Sequence, residues 1–71
     1  MAVKKVYQLG MEYQYAAHVL LLWEEGEYPC DLRVRRARTK GLIVIELEEL
    51  ELAAKILAAT NCKVAVKEVP V

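Results

Sequence analysis

Residues 31–45, DLRVRRARTKGLIVI, decide how the chain is read. Leu32 and Val34 fall on one face and Arg33 and Arg35 on the other, the two-residue period of a half-buried strand. Lys40-Gly41 supplies a tight turn, because glycine accepts the positive φ that hairpin turns need. Residues 42–45 then run apolar without alternation, as a strand covered on both faces does. The segment therefore reads as a hairpin with 31–39 at a sheet edge and 42–45 inside the sheet.

On either side of this hairpin the hydrophobic period changes. Tyr13, Ala16, Ala17, Leu20 and Trp23 recur at helical spacing, and Gly26 with Pro29 supplies the stop, which predicts a helix over 11–25. Leu50, Ala53, Ala54 and Leu57 predict a second helix over 46–60, with Glu48, Glu49 and Glu51 suited to its positive N-terminal end and Asn61 as a left-handed cap. The outer segments read as strands. Residues 3–9 are rich in β-branched and aromatic side chains and end at Gly10. In 62–69, Val64 and Val66 alternate with Lys63, Ala65 and Lys67, and the nearby Pro70 suits a sheet edge.

The order is βαββαβ, and right-handed crossovers fold it into an α+β, ferredoxin-like arrangement. This places an antiparallel sheet under two helices on one face, with strands one and three in the middle. One domain, 1–71, is expected, with no linker, repeat or low-complexity segment. A chain of 71 residues buries only about 60% of its unfolded surface, so its stability margin is thin. Against that, an apolar fraction of 56% suggests a dense core or a surface that a second copy covers, and a homodimer is the expected oligomer.

Ten basic and ten acidic side chains cancel, so no overall field draws the protein to nucleic acid or an anionic membrane. The chain has no Ser or Phe, one Asn and two Gln, while Glu, Lys, Arg and aliphatics fill it, a balance typical of thermophile proteins. The apolar stretch 15–23 is broken by His18 and is too short to span a bilayer. The opening MAVKKVYQLG lacks the apolar core and cleavage site of a secretory signal, which leads to an expected cytoplasmic location.

Catalysis fits the residues poorly, and an enzyme is not expected. Cys30 and Cys62 fall at opposite edges and ends of the expected sheet, beyond the reach of a disulfide. With one histidine, His18, and no paired cysteine spacing, neither a zinc site nor any other cofactor site is expected. Gly10, Gly26 and Gly41 are isolated, without the spacing of a phosphate-cradling loop. Runs such as Glu24-Glu25 and Glu48-Glu49 read as solvated faces.

Three binding readings remain, one of them, a small-molecule regulatory domain with ligands at a sheet-mediated dimer interface, without a sequence handle. In the first, the chain self-associates and scaffolds a larger complex through apolar surface. Five consecutive apolar residues, 19–23, cover more than a helical turn, so one side must be buried by something other than its own sheet, and Leu21 and Leu22 are the candidates, with Ile43 and Ile45, or alternatively Leu42 and Val44, on the open sheet face. In the second, Lys5, Tyr7, Arg33, Arg35, Lys63 and Lys67 share the open face and bind single-stranded RNA or DNA, cations on phosphates and the ring on a base.

Overall fold

The computed structural model describes residues 2–71. Six elements follow in the order β1 (Val3–Glu12), α1 (Tyr13–Glu24), β2 (Arg33–Arg36), β3 (Leu42–Leu47), α2 (Leu50–Thr60) and β4 (Lys63–Pro70). The strands form one sheet in the order β2-β3-β1-β4, antiparallel between all neighbours. The result is a small α+β fold with β2 and β4 at the edges.

The central pair fixes the layers. In β1 and β3, Leu9 stands opposite Ile45 and Tyr7 opposite Leu47, and directly opposed residues share a sheet face. Leu9, Met11, Ile45 and Leu47 are buried together with Ala16 and Val19 of α1 and Ala53 and Ile56 of α2, so both helices cover this one face. Leu9, Ile45, Ile56 and Val19 are the largest fully buried side chains.

Several element boundaries differ from the sequence reading. β1 does not stop at Gly10, which sits in the ladder between Val44 and Lys63 and lets Met11 reach the core. β3 continues through Glu46 to Leu47, so Glu46 is a strand residue, and of the acidic residues expected at the head of α2 only Glu51 lies in its first turn. β2 is confined to Arg33–Arg36. Beyond it the hairpin closes through Ala37 N–H to the Leu42 carbonyl, with Gly41 at a φ of 86°. Asn61 ends α2 in the left-handed conformation and donates its N–H to the Leu57 carbonyl at 2.8 Å, as expected of a left-handed cap.

The helical stripes are also rotated from their expected positions. Tyr13 and Leu50 are more than half exposed, whereas Ile56, which is not among the residues that predicted the second helix, is fully buried. Tyr28, in the loop after α1, is a core residue with no sequence signal; it is 3% exposed and carries the Lys55 ammonium 5.6 Å from its ring centroid. Trp23 Nε1 donates to the Cys30 carbonyl at 2.7 Å and ties this loop to α1. At the outer end of the β1–β4 ladder, beyond the Val3–Pro70 pair, Val71 N–H donates to the Ala2 carbonyl at 3.2 Å.

With so few fully buried side chains, each carries a large share of the stability. Ile45→Ala is expected to destabilise the fold by about 3 kcal/mol, whereas Leu21→Ala, at a site 53% exposed, is expected to cost well under about 1 kcal/mol. Chemical denaturation followed by circular dichroism measures both.

Candidate functional site

The register assigns each candidate residue to a face. Arg33 stands opposite Glu46, Arg35 opposite Val44, Lys63 opposite Gly10 and Lys67 opposite Val6. All belong to the face away from the helices, which gathers Arg33, Arg35, Lys63 and Lys67 on one surface. Lys4, opposite Val69, joins them.

Lys5 and Tyr7 do not. Lys5 opposes Glu68, and Tyr7 opposes Val66 on one side and Leu47 on the other, which puts both on the helix-covered face, where Tyr7 packs against the core. The open face therefore has no aromatic ring along its strands. Ile43 and Ile45 also turn to the helices, Ile45 completely buried, so they are not open-face contacts; Leu42, Val44 and Glu46 occupy that side of β3 instead. Leu22 packs against the core as well, leaving Leu21 as the exposed member of its pair.

Part of the open-face charge is satisfied internally. Glu46 Oε2 accepts from Gln8 Nε2 at 2.6 Å and lies 3.7 Å from Arg35 Nε. Lys4 Nζ is 3.5 Å from Glu48 Oε2. Val44 is only 8% exposed although no helix covers its face. It lies in the cross-strand row Arg35, Val44, Gly10, Lys63, and together with Gln8 and Ala65 these residues line a shallow hollow of about 210 Å³.

A larger hollow, about 390 Å³, opens at the end of the sheet where β3 gives way to α2. Lys4 and Val6 of β1 stand on one side and Asp31, Leu32 and Arg33 on the other. Glu46, Leu47 and Glu48 close it together with Trp23 and Val69. The sequence reading missed it, because Trp23 reads there only as a helix-stripe residue and Asp31 as the start of a strand.

At the edges the two sides of the sheet differ. α2 packs against β1 and α1 against β1 and β3, so the helix-side residues of the outer strands stay open: Val34 is 46%, Val64 47% and Val66 54% exposed. The whole outer side of β4 is unpaired.

The titratable groups with displaced pKa values are structural. Burial pushes the Tyr28 phenol above the usual tyrosine range, and the Glu27 carboxylate adds to the effect. Burial likewise raises the Cys30 thiol, helped by Glu49 and Asp31, which works against thiolate formation. Cys30 and Cys62 are both free, and His18 is exposed on α1. Among the described residues no cluster of three or more His, Cys, Asp or Glu is arranged to hold a metal ion, and no helix is long and apolar enough to cross a membrane. Compared with protein-family models, curated protein sequences and solved structures, the chain matches none of them.

Both raised groups are neutral when protonated, so the stability they contribute is complete below their ordinary pKa values and is lost as pH rises through the folded ones. The melting temperature is expected to fall above about pH 9, and to fall less steeply in a Tyr28→Phe/Cys30→Ala variant. Differential scanning calorimetry across pH tests this; equal slopes for the two proteins would assign the alkaline loss to other groups.

Proposed function

We propose that this chain is a ferredoxin-like, non-catalytic binding and assembly module that self-associates as a symmetric dimer through the edge of β4, leaving its other surfaces to scaffold a larger complex. The strand order β2-β3-β1-β4 with both crossover helices on one side supports the ferredoxin-like description. The observation that carries self-association is β4 itself, an eight-residue edge strand with an unpaired outer side and with Val64 and Val66 about half exposed. A free edge of that length is a template for another strand.

The choice of a second copy rests on area. The chain exposes 5276 Å², whereas a monomer of 8.1 kDa ordinarily exposes about 4,500 Å². The excess, about 800 Å², is what one partner contributes to a standard interface. The radius of gyration, 11.9 Å, exceeds the roughly 11 Å of a compact chain of this length in the same sense. The opposite edge is a poorer candidate, because Arg33, Arg35 and Arg36 crowd like charge onto a four-residue strand and self-pairing would bring those charges together.

Light scattering at low and high salt is expected to give the mass of a dimer in both. Val64→Asp/Val66→Asp is expected to reduce it to a single chain with its circular dichroism unchanged, while Leu21→Glu leaves the dimer intact. A monomeric parent protein, or a dimer that survives the double substitution, would refute pairing through β4.

A second reading, single-stranded nucleic-acid binding, is favoured by the common face of Lys4, Arg33, Arg35, Lys63 and Lys67. It predicts an affinity for a mixed oligonucleotide that falls steeply with salt. In Arg33→Gln/Arg35→Gln the salt slope is expected to flatten by about one unit for each phosphate that is no longer neutralised. Fluorescence anisotropy with a labelled oligonucleotide decides it, and an unchanged slope would remove the reading.

A further inference from the structure

The 390 Å³ hollow beside Trp23 lies within the size range of small-molecule sites, and its charges have an uneven arrangement. Lys4 is paired with Glu48, and Glu46 is engaged by Gln8 and Arg35. Arg33 and Asp31 also line the hollow, and neither takes part in an ion pair among the described residues. One free cation and one free carboxylate thus stand two positions apart in the chain, on the same wall.

The remaining lining is apolar: Val6, Leu32, Leu47, Val69 and the indole of Trp23. The indole is fixed, since its N–H is committed to the Cys30 carbonyl. It therefore offers the hollow apolar surface and no free donor.

We propose that this hollow binds a free α-amino acid with an apolar side chain. The carboxylate of the ligand pairs with Arg33, whose guanidinium suits bidentate contact with a planar anion. Its ammonium pairs with Asp31, and its side chain lies against Trp23, Leu47 and Val69. The two free charges exclude the simpler ligands. Because Lys4, Glu46 and Glu48 are already engaged, an anion alone would pair with Arg33 and leave Asp31 facing it, and a cation alone would pair with Asp31 and leave Arg33 facing it, so a zwitterion is the small molecule that satisfies both free signs at once. The site takes Val69 from β4 but its two free charges from Asp31 and Arg33 at the opposite edge of the sheet, and the assignment does not rest on self-association.

Trp23 is the sole tryptophan, so its fluorescence reports the hollow directly. Titration of the full chain with L-leucine is expected to give a saturable change at up to millimolar concentration. Leucinol, which lacks the carboxylate, and 4-methylpentanoate, which lacks the ammonium, are each expected to bind at least about tenfold more weakly, the order of a single charge-assisted hydrogen bond. Asp31 and Arg33 are exposed, so Asp31→Asn and Arg33→Gln leave the fold intact; each is expected to weaken L-leucine binding by a similar factor. Absence of a saturable signal, with no heat of binding by calorimetry under the same conditions, overturns the proposal. So does binding of 4-methylpentanoate or leucinol as tight as that of L-leucine, or binding unaffected by either substitution.

Discussion

Every placement in this molecule follows from the register that sets Leu9 opposite Ile45. Both side chains are completely buried, and their pairing commits the odd-numbered positions of β1 and β3 to the helices. A slip of one residue would exchange the faces, sending Lys4, Gln8 and Glu46 inward and Leu9, Met11 and Leu47 into water. Because only one side of the sheet is covered, the same pairing also assembles the open face and gathers Arg33, Arg35, Lys63 and Lys67 there. Core and candidate surface are two outcomes of one parity.

That parity was only partly legible in the sequence. β2 alternates through Arg35 and β4 through Lys67, and over those residues their faces, with the four open-face cations Arg33, Arg35, Lys63 and Lys67, could be read directly. The central strands could not be read so easily. Residues 42–45 are apolar throughout, so nothing within them says which side is inward; Glu46 would have said so, but it reads as the head of a helix when the strand is ended at Ile45. Gly10 misled in the same way. Taken as a terminator, it hides Met11, and without Leu9 and Met11 together the inward positions of β1 are undecided and Lys5 and Tyr7 drift to the wrong face. A glycine inside a central strand is uncommon because it weakens the strand, and here it is tolerated between Val44 and Lys63. Tyr28 lay beyond sequence reasoning altogether, since a loop residue that folds back under a helix has no periodicity to betray it.

The balanced charge of the chain conceals a division. The open face carries Lys4, Arg33, Arg35, Lys63 and Lys67 against Glu12 and Glu46, with Glu48 paired to Lys4 from beyond the end of β3, whereas α1 and the loop after it contribute Glu24, Glu25 and Glu27 with no neighbouring cation in the sequence. Opposite ends of the field therefore lie on opposite layers, and partners of different charge will be oriented differently as they approach. The hollow beside Trp23 shares Lys4 and Arg33 with the basic face and Val69 with β4, so a nucleic acid on the open face would compete with a small ligand for Arg33.

The hydrogen bond from Val71 to the Ala2 carbonyl has a consequence for topology. Because β1 and β4 are neighbours, the first and last described residues adjoin, and the chain enters and leaves at one place on the sheet's rim. Residues 2 and 71 could therefore be bridged by a short peptide and the unit between them reopened at the exposed hairpin tip, residues 38–41, without changing the strand order. That unit can equally be spliced into a surface loop of another protein with little stretching of its host, a portability that comes from which two strands happen to lie side by side.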